Sequence, residues 1–343
     1  METNPAPFYI SISKMLTDAQ PLGKFTVGLL AGAAMGCIGY YQLFFLQAGN
    51  PPPKGGAAHA AVIEHKIQDA ANLPCPKFLL VGGSSVGCGI SAKIISEELD
   101  VPAYNFSFWG SLGSQYILHL AKKVLKPGDT VLLCLEYEIL DWSGISPYWL
   151  DQSFLRFVMG VEPDFIKSKP FIERIWTAYS MPPGSVLSGL SSWVGGKERI
   201  QFNFFENHNE FGDSTPNTLE NKMKNLSAYE ARIREPSMIF ISGFKGRPKG
   251  AAAVYDFLQW ANENDVSVLA AYPNIAKNYL YSDNNVHNVD TKVRKIYSRF
   301  DIPILAPPKE SMLDPAIFFD TNYHLLQSSI PERTRKLLAH FKN

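Results

Sequence analysis

Apolar and polar positions alternate in blocks along most of the chain, and each block has the length of a strand or a helix. Short, wholly apolar runs are typical of strands that are buried on both faces of a parallel sheet. Such strands are predicted at Phe78–Val81, Ala103–Phe108, Val131–Tyr137, Met238–Phe244, Val266–Tyr272 and Ile302–Leu305. Amphipathic helices are predicted at Ile90–Leu99, Ser114–Leu125, Gly250–Asn264, Val289–Phe300 and Pro331–Phe341. We therefore expect an α/β domain over residues 76–343, with a doubly wound parallel sheet in three layers.

One long interval, residues 141–235, breaks this alternation and shows no strand–helix repeat. The interval begins at the carboxyl end of the third predicted strand, so it is expected to lie over that edge of the sheet. Either it forms a cap over a site at that edge, or it is a structural subdomain that only packs against the sheet. Its aromatic residues include Trp142 and Trp149.

A second distinctive pattern lies near the amino terminus, where Phe25–Leu46 contains 22 residues without a charge. A bilayer core requires about 20 apolar residues in a helix, and Tyr40 and Tyr41 suit a membrane interface. A cleaved signal peptide is the alternative, but its apolar region is normally about 7–15 residues and ends at a site with small residues. Residues 42–47 offer no such site, so the pattern favours a retained anchor.

The anchor divides the chain into four predicted parts. These are a cytoplasmic segment (1–24), the transmembrane anchor (25–46), a linker with a connecting helix (47–75), and the α/β domain (76–343) with its insertion (141–235). Lys14 and Lys24 precede the span, and Lys54 is the first basic residue after it. This bias favours an inside amino terminus and an extracytoplasmic body, as on the bacterial inner membrane facing the periplasm.

Gly28, Gly32 and Gly36 recur every four residues within the predicted anchor. This spacing places small residues on one helix face, where a helix of an integral membrane partner could approach closely. The alternative is that glycine is simply common in transmembrane helices.

Composition excludes some functions and leaves others open. The formal net charge is zero, and the sequence has no stripe of basic residues. We therefore expect no nucleic-acid partner. The four cysteines, Cys37, Cys75, Cys88 and Cys134, lack the spacing of a metal site. We expect Cys37 and Cys134 to be inert core residues, while a Cys75–Cys88 disulfide remains open. No metal or organic cofactor is implied.

The strongest candidate for chemistry is the Gly82-Gly83-Ser84-Ser85 turn that ends the first strand. Serine at the carboxyl end of a buried parallel strand, beside a helix amino terminus, occupies the place where α/β enzymes position nucleophiles. Ser84 is the first candidate nucleophile and Ser85 the alternative. The competing interpretation is a Gly/Ser turn that only satisfies its own backbone.

Partners for a serine nucleophile appear later in the chain. Gly110 follows the second strand, and its N–H could form an oxyanion hole with the N–H of Ser84. Asp320 lies four residues before His324, a spacing that lets a carboxylate orient the imidazole. Asp283 and His287 share that spacing but begin a predicted helix, where Asp283 is expected to act as a cap.

These segments, in this order, resemble the SGNH (GDSL-type) hydrolase superfamily. Leu80–Ser85 resembles its first block, in which Gly-Asp-Ser follows a strand. Asn105–Gly110 resembles the second block, and Phe319–Leu325 the last, an acid–histidine pair before the terminal helix. The match is nearest to the membrane-anchored, extracytoplasmic DltD-like and alginate-acetylation proteins.

Three departures from the family pattern bear on activity, and one is that the spacing from Asp320 to His324 is one residue longer than the commonest form. Gly83 stands where the family has the aspartate of Gly-Asp-Ser. The third block normally supplies an asparagine to the oxyanion hole, but the third strand here ends in Glu136-Tyr137-Glu138. A carboxylate would repel an oxyanion, so Glu136 cannot replace that asparagine directly.

The resemblance implies a membrane-anchored serine esterase or O-acyltransferase that acts on an acylated cell-envelope glycan or a lipid-linked polymer. Ser84, His324 and Asp320 would be its catalytic residues. The departures leave two alternatives open: an inactive scaffold that binds a glycan or a membrane partner, and an assembly protein whose aromatic insertion holds polymer through Trp142 or Trp149. The acyl group, the acceptor, and the choice between hydrolysis and transfer are not specified by the sequence.

Overall fold

A computed structural model describes residues 12–49, 56–141, 152–195, 203–244 and 249–341. Its centre is a parallel five-stranded sheet with the strand order β2-β1-β3-β4-β6. A separate pair is formed by β5 and β7. The strands are β1 (Phe78–Gly82), β2 (Ala103–Ser107), β3 (Thr130–Cys134), β4 (Ser267–Ala271), β5 (Ile275–Ala276), β6 (Ile304–Leu305) and β7 (Met312–Leu313).

Sixteen α-helices are described around these strands, and the predicted connecting helix is among them as α2. Those before the insertion are α1 (Ile12–Leu46), α2 (Gly56–Asn72), α3 (Ser84–Gly87), α4 (Ala92–Leu99), α5 (Gly113–Lys122) and α6 (Tyr137–Asp141). Those of the insertion are α7 (Gln152–Val161), α8 (Pro163–Lys167), α9 (Phe171–Ser180), α10 (Pro183–Gly195), α11 (Leu219–Met223) and α12 (Leu226–Ile233). The remainder are α13 (Ile239–Ser242), α14 (Lys249–Glu263), α15 (Asp283–Tyr297) and α16 (Ile330–Phe341).

Both faces of the sheet are covered, because successive side chains of each strand point to opposite sides. Leu79 and Val81 of β1 belong to the larger core, which includes residues of α5, α14 and α15. Phe78 and Leu80 face a smaller core with residues of α4 and α16. The α/β class and the parallel sheet are thus confirmed.

One predicted strand was wrong. Met238–Phe244 contains helix α13 instead, so the sheet has five strands rather than six. Ile239 and Phe240 are buried while Met238 and Ile241 are exposed, which is the three-residue spacing of a helix surface. An apolar run this short does not distinguish a buried strand from a helix by periodicity.

The insertion contributes to two distant places. Helices α9 and α10 pack against α1, whereas residues 203–217 run along the edge of the sheet near Ser84. Within its described parts, 152–195 and 203–235, the β-structure is an isolated bridge between His208 and Ser214. Trp142 and Trp149, the predicted polymer contacts, lie outside the described residues.

Helix α1 contains a segment, Lys24–Leu46, that is long and apolar enough to span a membrane. Added Cβ atoms at Gly28, Gly32 and Gly36 would meet no atom within 4 Å, so packing within the described chain does not require these glycines. Cys37 is exposed on this helix, which corrects its prediction as a core residue, whereas Cys134 is buried as expected. Cys75 and Cys88 are free thiols.

Candidate active site

The turn that carries Ser84 is shaped by close backbone approach. Strand β1 ends at Gly82, which lies opposite Ser107 of β2 and Cys134 of β3, and Ser84 begins the short helix α3. A Cβ on Gly82 would overlap the carbonyl oxygen of Cys134. Glycine is therefore needed here for space, and the turn projects Ser84 from the carboxyl edge of the sheet.

The structure brings Ser84, His324 and Asp320 into one hydrogen-bonded series. The Ser84 Oγ lies 2.8 Å from Nε2 of His324. Nδ1 of the same ring lies 2.7 Å from Oδ1 of Asp320. With the ring proton on Nδ1 donated to Asp320, Nε2 can accept the Ser84 hydroxyl proton, which is the arrangement of a serine nucleophile with its base.

Asp320 and His324 meet because their loop folds back on itself. Phe318 and Leu325 form an antiparallel bridge, and the Phe319 N–H donates to the carbonyl of His324. The Leu325 N–H also donates to the Cys88 carbonyl at 2.9 Å, which ties this loop to the helical turn after Ser84. A hairpin-like loop, rather than a helical turn, therefore brings the Asp320 carboxylate to the His324 ring.

Ser85 and Cys88 are the other potential nucleophiles near this position. Ser85 is fully buried and its hydroxyl has no partner among the described residues. Burial raises the pKa of the Cys88 thiol to about 11, so this residue is protonated at neutral pH. Ser84 is the one of the three whose side chain bonds to His324.

Glu136 holds the nucleophile turn from the neighbouring strand. It lies just beyond β3, is buried, and accepts hydrogen bonds from the N–H of Gly83 at 3.1 Å and of Ser85 at 2.8 Å. A Cβ on Gly83 would overlap this carboxylate. Burial raises the Glu136 pKa, while the Ser85 N–H opposes that shift. The sequence prediction that Glu136 does not replace an oxyanion asparagine stands untested, but the residue has a structural role that the sequence did not suggest.

The two predicted oxyanion donors are placed differently. The Ser84 N–H opens helix α3 and has no acceptor among the described residues, as expected for the first turn of a helix. Gly110 begins a 3-10 turn beside Glu136, and a Cβ there would lie 3.8 Å from the Glu136 carboxyl carbon. Gly110 does not line the cavity around Ser84, whereas its neighbour Trp109 does.

Asn105, the first residue of the second predicted block, is buried and links β2 to the chain that follows Ser84 and to the insertion. Its amide donates to the carbonyls of Val86 and Ile90 and to Oδ1 of Asp213. Asp213, from the insertion, also accepts from the Ser91 hydroxyl at the start of α4. The polar part of the insertion therefore fixes the helices that follow Ser84.

Lys66 brings helix α2 to the same place. Its ammonium is buried and donates to the carbonyl oxygens of Asn105, Ser107 and Gly212 at 2.8–3.1 Å. Burial lowers the pKa of Lys66 to about 7, against the opposing influence of Asp213. Three acceptors require three N–H donors, so this arrangement uses the charged form.

A cavity of about 380 Å³ lies beside Ser84, and His324, Asp320 and Lys66 are among the residues that line it. The side chains of His324 and Asp320 are 18% and 22% exposed, so a small ligand can reach them. Apolar walls come from Ala58, Val62, Phe108, Trp109, Pro216 and Phe319, and polar walls from His59, Lys66, Ser107, Asn207, His208, Ser214 and Asn217. An apolar cavity with a few convergent polar groups is the usual form of a small-molecule site.

Sequence analysis missed Lys66 and Asp213, and it named Glu136 without predicting its structural role. Lys66 did carry a signal, because it lies three residues after Ile63 and four before Ala70 on the buried face of α2. Glu136 carried a weaker one, as a carboxylate directly beyond a buried strand at the functional edge. Asp213 offered none, since nothing in a polar run of the insertion indicates a distant partner.

Neither a scan against models of protein families nor a search of curated proteins found a match to this chain. Among the described residues, no group of three or more His, Cys, Asp or Glu side chains could hold a metal ion.

Proposed function

We propose that this protein is a membrane-anchored, SGNH-like serine esterase or O-acyltransferase. The observation that carries the proposal is the series from Ser84 through His324 to Asp320, at 2.8 and 2.7 Å, beside an accessible cavity. The candidate nucleophile follows β1 and the base follows the last strand, which is the order of the SGNH superfamily. The substrate we propose is an acylated cell-envelope glycan or a lipid-linked polymer.

The proposed reaction uses Ser84, His324 and Asp320 in turn. His324 Nε2 accepts the Ser84 proton as Oγ attacks an acyl carbonyl carbon, and Asp320 stabilises the imidazolium. The C–O bond of the ester breaks, the leaving alkoxide takes the proton from His324, and an acyl-Ser84 remains. Water or a glycan hydroxyl then gives its proton to His324 and attacks the acyl carbon, and as the bond from that carbon to Oγ breaks, His324 returns the proton to the Ser84 oxygen.

The N–H of Ser84 would donate to the oxyanion. A side-chain amide at the end of β3 is absent, and the carboxylate of Glu136 is bonded to backbone N–H groups instead. We therefore expect modest rates, because one missing oxyanion donor costs roughly 10²–10³-fold in kcat.

The proposed position of the body follows from the anchor. The α/β domain would lie outside the cytoplasm, with α1 crossing the membrane once. The cavity wall formed by Ala58 and Val62 belongs to α2, which follows that anchor along the chain.

Hydrolysis of a short-chain ester by the purified full chain in detergent tests this proposal. We expect turnover of p-nitrophenyl acetate in the wild type and in Ser85→Ala, and loss of turnover in Ser84→Ala and His324→Ala. A wild type that unfolds cooperatively but has no more turnover than Ser84→Ala would contradict an enzyme, and would favour the scaffold suggested by the placement of Glu136.

A further inference from the structure

Helix α9 of the insertion is bound to the middle of the predicted membrane span. The Tyr179 hydroxyl donates to the carbonyl of Cys37 at 2.6 Å, and its ring stacks on Tyr40 with centroids 5.6 Å apart. Near the start of α9, the ring of Phe171 meets that of Tyr41. Both ends of α9 thus contact the face of α1 that carries Cys37, Tyr40 and Tyr41.

The depth of this contact follows from helix geometry. Cys37 precedes Leu46, the end of the apolar segment, by nine residues (46 − 37), which is about 13 Å along a helix at 1.5 Å per residue. A hydrocarbon core of about 30 Å takes about 20 residues. A shift of the span toward the amino terminus would draw the charged Lys24 into that core, which is unfavourable. Tyr179 therefore lies below the level at which the apolar segment ends.

The outer face of α9 carries the exposed apolar and aromatic side chains of a surface that contacts lipid. Ile172, Trp176 and Tyr179 are 68%, 60% and 43% exposed. Their spacing of four and three residues places them on one side of the helix. Leu187 of α10 is also 62% exposed. Helix α1, against which α9 packs, also exposes apolar side chains, with Leu29, Leu30 and Ile38 each more than 60% exposed.

Basic residues flank and begin helix α9. Lys167 and Lys169 come directly before α9, and Arg174 lies over the ring of Phe171. The backbone of α9 is helical, so its N–H and C=O groups are largely paired and can enter an apolar phase. An amphipathic helix with Trp on its apolar face and basic flanking residues is typical of an interfacial membrane segment.

We propose that α9 and the adjoining part of α10 enter the membrane leaflet nearer the body, so that lipid acyl chains cover Ile172, Trp176 and Leu187. The protein is then held by two elements, a spanning helix and a helix lying beside it. This fixes the tilt and rotation of the α/β domain relative to the bilayer, which a single helix with a linker would not. The proposal does not depend on the catalytic assignment.

Quenching by brominated lipid tests this arrangement in the full chain. The purified protein is reconstituted into phosphatidylcholine vesicles and into vesicles of the same lipid brominated on its acyl chains. We expect the wild type to lose fluorescence in brominated vesicles, and Trp176→Phe to remove a resolvable share of that loss. Trp260→Phe, on α14 of the α/β domain, is the matched control and should remove none.

A water-soluble quencher completes the test. Iodide should not reach the fluorescence contributed by Trp176 in vesicles. Equal bromine quenching in the wild type and in Trp176→Phe would overturn the proposal. Iodide access to Trp176 would also overturn it, because the face would then be exposed to water in a bilayer and left for another protein to cover.

Discussion

The two sides of the Ser84–His324 pair are held in different ways, although both depend on the chain just beyond β3. On the nucleophile side, Glu136 binds two backbone N–H groups in a space that a side chain on Gly83 would fill. On the base side, Glu138 accepts from the Tyr323 hydroxyl at 2.5 Å, one residue before His324. The first contact joins a buried carboxylate directly to the backbone on either side of Ser84. The second acts through a long aromatic side chain.

This difference indicates how much change each side tolerates. The nucleophile turn depends on backbone groups that have no other acceptor, whereas the base loop is also held by Leu325 and Phe319 backbone bonds. Removing Glu136 should therefore do more damage than removing the Tyr323 hydroxyl. The following predictions test that ranking, from the largest expected effect to the smallest.

Glu136→Ala should lower both stability and ester hydrolysis most strongly, because two buried N–H groups lose their acceptor at roughly 1–3 kcal/mol each. Gly83→Asp should be similarly harmful, since its side chain enters the space of Glu136. The double variant Gly83→Asp/Glu136→Ala should recover part of the loss, because a carboxylate again fills that space. Melting temperature and hydrolysis rate measure all three variants.

The exposed Glu332→Ala is the control for loss of a carboxylate, and should change neither quantity. If the double variant is no better than the sum of the single changes, the carboxylate of Glu136 and a side chain at residue 83 do not occupy equivalent positions. Such non-additivity between contacting residues is what a double-mutant cycle measures.

Tyr323→Phe should have a smaller effect, since it removes one hydrogen bond while the ring keeps its packing. A loss of about 1.4 kcal/mol, or roughly tenfold in kcat/KM, is the size of one such bond to a charged group. Tyr279→Phe, at a side chain that is 93% exposed, is the matched control. A Tyr323→Phe variant as impaired as Glu136→Ala would reverse the ranking of the two sides.

Lys66→Met should have the smallest effect on ester hydrolysis, because the Lys66 ammonium bonds to three carbonyls and not to Ser84 or His324, but it should change how stability depends on pH. The pKa of Lys66 is about 7 in the folded protein, below its usual 10.5. Between these values the unfolded chain binds more protons, so the contribution of Lys66 to stability rises with pH. Below about pH 7 the cost of the buried charge is present in full.

The measurement is the melting temperature of the wild type and of Lys66→Met at pH values from about 6 to 9. The difference between them should move in favour of the wild type as the pH rises. A difference that is independent of pH would show that Lys66 keeps its ordinary pKa in the three-carbonyl site, and a difference that moves the other way would also contradict a lowered pKa.

Sequence patterns predicted the elements whose evidence is local. The apolar run at β1, the glycines after it and the Asp320–His324 spacing are each contained within a few residues. Parallel strands bring their carboxyl ends to one edge, so Ser84 and His324 could be expected to meet although 240 residues separate them. The wrong strand at Met238–Phe244 also had only local evidence, which did not separate two kinds of buried segment.

The supporting contacts could not be predicted in the same way, because each joins distant residues without a characteristic pattern. Glu136 is 53 residues from Gly83, and Asp213 is 108 from Asn105. The glycine at residue 83 looked like a loss of the family's aspartate. In the folded chain it makes room for the carboxylate of Glu136, which lies just beyond β3, a relationship visible only after β1 and β3 are paired.

The central claim is that Ser84 is a nucleophile activated by His324, and fluorophosphonate labelling followed by peptide mapping tests it most directly. We predict one adduct, on Ser84, in the folded wild-type chain and in Ser85→Ala, and much slower labelling in His324→Ala. Ser84→Ala should have the wild-type melting temperature and no adduct. An unlabelled wild type, or an adduct that persists in Ser84→Ala, would contradict the claim.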